Sequence, residues 1–146
     1  MTLVLVLVLA CAGSIAPYDP AKEPERRATL EASLRAELGD AYDQPVPGLL
    51  DADLEEGKEV WYKNCDPCHG PYGQGDGPRA DRMMPRPTNL LEGRRLSQAG
   101  EYQLVREGSP GTGMPGFGGK LPDHYVLAVY RYVTWLRTHP PPPPEE

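Results

Sequence analysis

The clearest hydrophobic pattern in the chain lies in its C-terminal third, after Leu121-Pro122-Asp123. Apolar residues recur there every three or four positions, which is the spacing of one face of an α-helix. They are Val126, Val129, Tyr130, Val133 and Leu136. Arg131 and Arg137 fall outside this stripe, so we expect them in solvent, and we expect Pro140 to end the helix. The pattern therefore predicts one amphipathic helix that begins near residue 123.

Two shorter stretches also have helical patterns. The first begins at Asp51 or Asp53 as an N-cap, has two glutamates in its first turn, and continues through Leu54, Val60 and Trp61. The second runs from Ser97 to Glu107 and is stopped by Gly108 and Pro110. No regular alternation of apolar and polar residues appears after the N-terminal segment. The sequence therefore predicts an all-α fold without a substantial sheet.

The first eleven residues have the pattern of an export signal. Leu3 to Leu9 is wholly apolar but far shorter than the ~20 residues that a membrane-spanning helix needs. Val8-Leu9-Ala10-Cys11 resembles a lipoprotein cleavage box, in which Cys11 becomes the acylated first residue of the mature protein. No Lys or Arg precedes the apolar run, and Leu9 is bulky for its position, so an ordinary signal peptide is the alternative. We expect residues 1–11 to be a signal peptide that ends at Cys11.

Residues 12–50 are predicted to be a tether with one possible helix. The helix would begin near Pro24 and end before Gly39, with a narrow apolar stripe of Leu30, Leu34 and Leu38. Such a stripe is too thin for an independent core, so the helix packs on the rest of the chain, docks on a partner or frays in water. Residues 42–48 are predicted to be an extended linker, and residues 140–146 a proline-rich tail. One compact domain remains, over residues 51–139.

A C-x-x-C-H motif at residues 65–69 carries the chemistry. Two cysteines at this spacing on a helical turn can bond a haem, and the adjacent imidazole can bind its iron. A redox-active dithiol is one alternative, but such a pair normally follows a strand of a βαβ unit, and no strand precedes the motif. A structural zinc site needs four protein ligands, and after the motif the chain offers only His124 and His139. The motif therefore predicts one covalent haem c on Cys65 and Cys68, with His69 as the proximal iron ligand.

The sixth position on the iron decides between electron transfer, gas sensing and catalysis. We favour Met114, because it lies in a glycine-rich loop, residues 111–119, whose backbone can pass close to a flat cofactor. The other candidates are Met83, Met84, His124 and His139. An open sixth position would instead make the protein a haem-based gas sensor or a peroxidase-like enzyme, but no distal acid–base pair is evident in the sequence.

Three segments of the chain resemble the class I c-type cytochromes, which are small all-helical haem proteins that carry single electrons. Residues 64–78 are similar to the C-H-G-x-x-G-x-G-D-G segment of bacterial mono-haem domains, residues 85–90 to their proline-rich haem-edge segment, and residues 108–117 to their methionine loop, with G-x-x-M-P-x-F intact. The resemblance covers about residues 53–139.

The resemblance implies a small cytochrome c-like helical fold around one covalent haem. It also implies that His69 and Met114 are the axial ligands and that the protein is an electron-transfer protein rather than an enzyme by itself. The first and last helices of this fold cross closely, so we expect Gly57 with Trp61 to lie against aromatic residues of the last helix, namely Tyr130 and Trp135.

Haem attachment in the resembled family takes place on the outer side of the bacterial cytoplasmic membrane. We therefore expect an exported protein on the periplasmic side, anchored in the membrane through Cys11, with redox proteins of the periplasm or membrane as partners. The layout is also similar to cytochrome subunits of alternative complex III and of related quinol-oxidising or terminal-oxidase assemblies. A fixed subunit of such a complex is the alternative to a free one-electron carrier.

The charge distribution adds little to this picture. The net charge of −6 argues against nucleic acid as a partner. Five arginines cluster near the expected haem edge, where they could bind haem propionates, face an acidic redox partner or form a solvated loop. They are Arg79, Arg82, Arg86, Arg94 and Arg95.

Overall fold

The computed structural model describes residues 18–92 and 96–141. The predicted signal peptide with Cys11, the arginines Arg94 and Arg95, and residues 142–146 of the predicted tail lie outside these ranges. The regular structure of the described ranges consists of helices and short 3₁₀ turns, without a strand beyond two isolated bridges. The α-helices are α1 (Glu23–Leu38), α2 (Leu54–Asn64), α3 (Asp66–His69), α4 (Gln98–Glu107) and α5 (Asp123–Leu136). The all-α prediction is confirmed.

Helices α2 and α5 form the centre of the domain. Asp53 caps α2, because its Oδ1 accepts hydrogen bonds from the backbone N–H groups of Glu55 at 2.9 Å and Glu56 at 3.0 Å. All five apolar residues of the predicted stripe on α5 are buried, none of them more than 7% exposed. Within the described ranges, no helix is both long and apolar enough to cross a membrane.

The two central helices cross at Gly57, where no side chain fits. A β-carbon on Gly57 would lie 2.6 Å from the carbonyl carbon of Ala128 and 3.2 Å from Cβ of Tyr132. Trp61, one turn further along α2, is 1% exposed, and its ring centroid lies 5.9 Å from that of Tyr132. The prediction of a glycine crossing beside Trp61 is confirmed. The α5 residues at the crossing, however, are Ala128 and Tyr132 rather than the predicted Tyr130 and Trp135.

Arg137 is not in solvent, which corrects the prediction for this end of α5. Its Nη1 and Nη2 donate to the two carboxylate oxygens of Glu101 at 2.8 and 2.9 Å, and its Nε donates to the carbonyl of Leu90 at 2.9 Å. Tyr130 also donates its hydroxyl to Glu101, at 2.9 Å. The side chains of Arg137 and Glu101 are only 13% and 15% exposed. Periodicity placed Arg137 outside the apolar stripe of α5, but α4 and the loop before α4 cover the side of α5 on which Arg137 lies.

Helix α1 and the segment after it pack against the domain. Leu34, Tyr42, Val46 and Leu49 are buried, and Tyr42 is 1% exposed. The Tyr42 ring lies against Gly100 of α4, where a β-carbon would come within 2.9 Å of it. Of the three fates left open by the sequence for α1, the structure has the first, packing on the rest of the chain. The predicted tether is therefore folded into the domain from residue 20 onward, and its linker of residues 42–48 contains buried side chains.

Polar contacts align this N-terminal segment with α4. The hydroxyl of Tyr42 accepts a hydrogen bond from the backbone N–H of Ser97 at 3.3 Å, and Gln98 Oε1 accepts one from the backbone N–H of Val46 at 2.7 Å. Gln103 donates to the Glu37 carboxylate at 2.7 Å. The proline and glycine content of residues 42–48 predicted a linker. This prediction missed the contacts above, because composition does not record contacts between distant residues.

A charged cluster holds the start of α1. Arg26 donates to both carboxylate oxygens of Glu23, at 2.8 and 2.7 Å, and Arg27 Nε donates to Glu23 Oε1 at 2.7 Å. The hydrogen bonds from Arg26, opposed by burial and supported by Arg27, lower the pKa of Glu23 to about 2. The carboxylate is therefore ionised, next to the two arginines, at pH values well above about 2.

We predict that Gly57→Ala destabilises the haem-loaded protein. At an open helical position, replacing glycine by alanine stabilises the helix by about 1 kcal/mol. A loss of stability therefore indicates crowding at the crossing, whereas a gain indicates helix propensity alone. Because the new methyl group would overlap the backbone of Ala128, we expect the free energy of unfolding to fall by about 2 kcal/mol or more. Chemical denaturation measures the change, with Lys58→Ala as an exposed control on the same helix. A stabilised Gly57→Ala variant would contradict the close crossing.

We also predict that Glu23 makes the stability of the protein depend on acid. Since its pKa is depressed in the folded state, its contribution is fully present above about pH 4.5 and is lost as the pH falls through about 2. Urea unfolding of the protein and of Glu23→Gln should give a stability difference that is constant near neutral pH and shrinks toward pH 2. A difference that persists unchanged at pH 2 would show that the charge of Glu23 is not its source.

Candidate haem-binding site

Helix α2 leads directly into the C-x-x-C-H motif. The backbone N–H of Cys65 bonds to the carbonyl of Trp61 at 2.8 Å, so the chain remains helical up to the first cysteine. The single turn of α3 follows, with the N–H of His69 bonded to the carbonyl of Cys65 at 2.8 Å. This turn brings Cys65, Cys68 and His69 into the lining of one cavity. The three residues predicted to hold the haem are therefore together.

The glycine-rich segment after the motif folds back over this turn. The N–H groups of Gly75, Gly77 and Arg79 bond to the carbonyls of His69, Cys68 and Pro67 at 2.9, 3.2 and 2.8 Å. A β-carbon on Gly77 would lie 2.7 Å from the carbonyl carbons of Pro67 and Cys68, so only glycine permits this approach. Residues 70–79 thus fix the backbone that carries both thiols and the imidazole.

The cavity has a volume of about 1070 Å³ and is lined mainly by apolar side chains. Besides the motif, its walls come from residues 83–90, from the loop at 112–117, from α4 and from α5, which contributes Val129 and Val133. Helix α1 supplies a further wall, which includes Leu30. Such a large apolar cavity in a small domain suits a flat, mostly hydrophobic cofactor.

Three of the five candidates for the sixth ligand line the cavity. Met114 does so from a loop that is tied to α4, since the N–H groups of Phe117 and Gly118 bond to carbonyls of α4 at 3.0 and 2.8 Å. Met83 and Met84 also line it, although Met84 is 65% exposed. The two histidines are elsewhere, in aromatic contacts on α5 and after its end. His124 lies on Tyr125 and His139 on Trp135, each pair with ring centroids 4.2 Å apart.

His69 is prepared as a neutral ligand. Burial lowers its pKa, and the backbone of Thr88 offsets only part of this effect. Its Nδ1 is buried, and neither Thr88 nor any other described residue reaches hydrogen-bonding geometry with it. A neutral imidazole keeps a lone pair for a metal ion, so a buried ring in this protonation state suits an axial ligand of the iron.

The Cys65 thiol does not have the properties of a reactive redox cysteine. Cys65 and Cys68 are not disulfide-bonded, and burial, with smaller contributions from Cys68 and Asp66, raises the pKa of Cys65 to about 12. A reactive cysteine needs the thiolate, which such a pKa disfavours. Residues 18–92 and 96–141 contain no group of three or more metal-binding side chains of the His, Cys, Asp and Glu types. The two thiols, the neutral imidazole and the apolar cavity together fit a covalent haem.

Several cavity residues were not predicted from the sequence. Trp61 lies 6.0 Å from His69 between ring centroids, and its buried Nε1 has no hydrogen-bond partner among the residues that the structure describes. Its position one helical turn before Cys65 is a signal that could have found it. No local pattern marks the lining residues of α1 or the Glu101–Arg137 pair, because their contacts join distant parts of the chain.

The predicted arginine cluster contributes one described residue to the cavity. Arg86 lines it, is 57% exposed and bonds to Asp81 at 2.9 Å. Arg79 and Arg82 are exposed and do not line it.

Comparison with known proteins agrees with this site. The family described as "Cytochrome C oxidase, cbb3-type, subunit III" matches residues 52–133, more than half of the chain. Cytochrome c6 of Thermosynechococcus vestitus is 33% identical over 88 residues, which cover 60% of this chain and 74% of that protein. Cytochrome c6 of Bumilleriopsis filiformis is 28% identical over 82 residues, covering 56% of this chain and 90% of that protein.

A solved structure is also similar. The Kuenenia stuttgartiensis reducing HAO-like protein complex Kustc0457/Kustc0458 contains a chain that superposes with a TM-score of 0.52 at 27% identity. The match covers 64% of this chain, and this chain spans 46% of that one. The family match, the cytochrome c6 relatives and the haem-binding geometry agree. The chain belongs to the family of the cbb3-type cytochrome c oxidase subunit III domain and is a class I mono-haem c-type cytochrome, an electron-transfer protein with covalent haem c as its cofactor.

Proposed function

We propose that the protein is a one-electron carrier whose haem iron is held by His69 and Met114. The observation that carries this proposal is the position of Met114 in the cavity that the C-x-x-C-H turn lines, on a loop fixed by its own backbone. The backbone carbonyl of Met114 accepts a hydrogen bond from the N–H of Ser109 at 3.1 Å, and the backbone N–H of Met114 donates to the Thr112 hydroxyl at 3.2 Å. A sulfur on such a fixed loop can be held on the metal at little further cost in chain entropy.

Met83 and Met84 are less suitable ligands. The Met84 side chain is mostly in solvent. The end of the Met83 side chain lies against Gly113, within the methionine loop, and leaves no room there for a β-carbon. Met83 therefore contacts the loop that carries Met114.

The bound haem would supply one-electron chemistry, and the protein would supply its ligands and its surroundings. His69 offers a neutral imidazole, and a Met thioether as the second ligand favours the reduced state. The mainly apolar walls of the cavity would surround part of the haem with a medium less polar than water. If His69 and Met114 both hold the iron, no coordination position would remain for a substrate or a gas, so this ligand set would suit a carrier rather than a sensor or a peroxidase-like enzyme.

The proposed location is the periplasmic side of the membrane, with Cys11 as a lipid anchor and redox proteins as partners. Support comes from the lipoprotein-like sequence around Cys11 and from the covalent haem, whose attachment in this class of protein takes place outside the cytoplasm. A second candidate function is a fixed cytochrome subunit of a terminal oxidase or quinol-oxidising complex. The description of the matched family, a subunit of a cytochrome c oxidase, favours it. Purification from native membranes in mild detergent would separate the two, since a fixed subunit remains with its complex and a free carrier does not.

We predict that Met114→Ala removes the weak far-red sulfur-to-iron absorption band of the oxidised protein. The reduced variant should also bind carbon monoxide rapidly, because its sixth position is then open, and its potential should fall. Met84→Ala is the matched control, since this exposed methionine should leave the band and the carbon monoxide kinetics unchanged. A band that survives in Met114→Ala, or that is absent from the unmodified protein, would contradict the proposed ligation.

We predict that Cys11→Ser releases the protein from the membrane without changing its haem spectrum. The thioester or thioether that would carry the lipid requires the Cys11 sulfur, whereas the haem uses Cys65 and Cys68. Membrane and soluble fractions of the producing bacterium, analysed by haem staining, measure the change. Recovery of both forms in the soluble fraction would contradict the anchor.

A further inference from the structure

Helix α1 lies outside the residues that match the cytochrome family, yet it packs beside the methionine loop of residues 108–117. The family match begins at residue 52, and α1 ends at Leu38. A second, small cavity of about 80 Å³ lies where α1 passes the last turn of α4 and the start of the loop. Its lining includes Leu30 and Leu34 of α1, Leu104 of α4, and Gly108 and Pro110 of the loop.

The packing of α1 on α4 is held by apolar and polar contacts. Leu34 is only 4% exposed, although it lies on a mostly exposed helix. One turn further along α1, the Glu37 carboxylate accepts a hydrogen bond from Gln103 of α4 at 2.7 Å. After α1, the Tyr42 ring lies against Gly100, near the other end of α4. The position of α1 beside the loop is therefore fixed along the length of α4.

The start of the methionine loop, which lines the small cavity, is also in direct backbone contact with Met114. Gly108 forms an isolated antiparallel bridge with Pro115, and the N–H of Ser109 donates to the carbonyl of Met114 at 3.1 Å. A β-carbon on Gly108 would lie 2.8 Å from the carbonyl oxygen of Met114. The loop thus contributes Met114 to the haem cavity and Gly108 and Pro110 to the cavity beside α1.

We propose that α1 holds the methionine loop in place and so controls how readily Met114 leaves the iron. The proposal rests on the ligation by Met114 proposed above. Release of the sulfur requires the loop to move, and the free energy of such a local opening increases with the apolar contacts that it breaks. Leu34 is the positioning residue, because it is buried in this contact and lines the small cavity without lining the haem cavity.

The test uses Leu34→Ala in the haem-loaded, full-length protein. The truncated side chain enlarges the cavity beside the loop and removes contacts that oppose its opening. The far-red sulfur-to-iron band of the oxidised protein should disappear as the pH rises, because a deprotonated group then competes with Met114. We expect the midpoint of this loss to fall by about one pH unit in Leu34→Ala, which is a tenfold larger population of the open form for one released proton.

Binding of imidazole to the oxidised protein provides a second readout. Imidazole can bind the iron only when Met114 has left, so its apparent binding rate is proportional to the population of the open form. We expect roughly tenfold faster binding to Leu34→Ala than to the unmodified protein. Leu34→Met preserves the volume of the side chain and should restore most of the original midpoint and binding rate.

Leu49→Ala is the matched control. It deletes the same atoms from a residue that is 3% exposed, belongs to the main hydrophobic core and lines neither cavity. Urea unfolding should show that both alanine variants lose global stability. Only Leu34→Ala should change the midpoint of the far-red band and the rate of imidazole binding.

The role of α1 is overturned if Leu34→Ala and Leu49→Ala have the same midpoint and the same imidazole binding rate. If Leu34→Ala loads too little haem, Leu34→Val takes its place, with a smaller shift expected in the same direction. No shift in that variant would also overturn the role of α1. An unmodified protein that lacks the far-red band at every pH would instead contradict the ligation by Met114, and the present proposal with it.

Discussion

The absence of a side chain at Gly57 lets α2 and α5 approach until their backbones touch, and the position of the haem site depends on that approach. Helix α2 carries the C-x-x-C-H turn at its C-terminal end, and α5 supplies Val129 and Val133 to the cavity that this turn lines. Trp61 lies between the crossing and the motif, with its ring near both Tyr132 and His69. A change in the distance between the two helices would therefore move the attachment residues relative to one wall of the cavity.

Features governed by neighbouring residues could be predicted from the sequence. The C-x-x-C-H spacing identified Cys65, Cys68 and His69, and the structure places all three in one cavity. The apolar stripe of α5 and the N-cap at Asp53 are equally local, because both depend on residues within one or two turns of helix. The glycine-rich sequence around Met114 predicted an irregular loop beside the cofactor, and that loop does line the cavity.

Features governed by distant residues could not be predicted in the same way. Arg137 was expected in solvent because its own helix offers no partner, whereas Glu101 lies 36 positions earlier in the sequence. The segment around Tyr42 has the composition of a linker, yet its ring occupies the space that Gly100 leaves open on α4. A pattern along the chain reports which face of a helix is apolar. It does not report which other element will cover the remaining faces.

The contact between Gly57 and Ala128 also constrains the order in which the chain can fold. It closes a loop of about 70 residues, and the loss of chain entropy on such a closure is about 4 kcal/mol before the contact itself contributes. Both attachment cysteines lie near the start of this loop, and the walls at 83–90, 112–117 and α5 come after them. Because the cysteines precede these walls in the chain, a haem bonded to them would give the later segments an apolar surface next to the helix crossing.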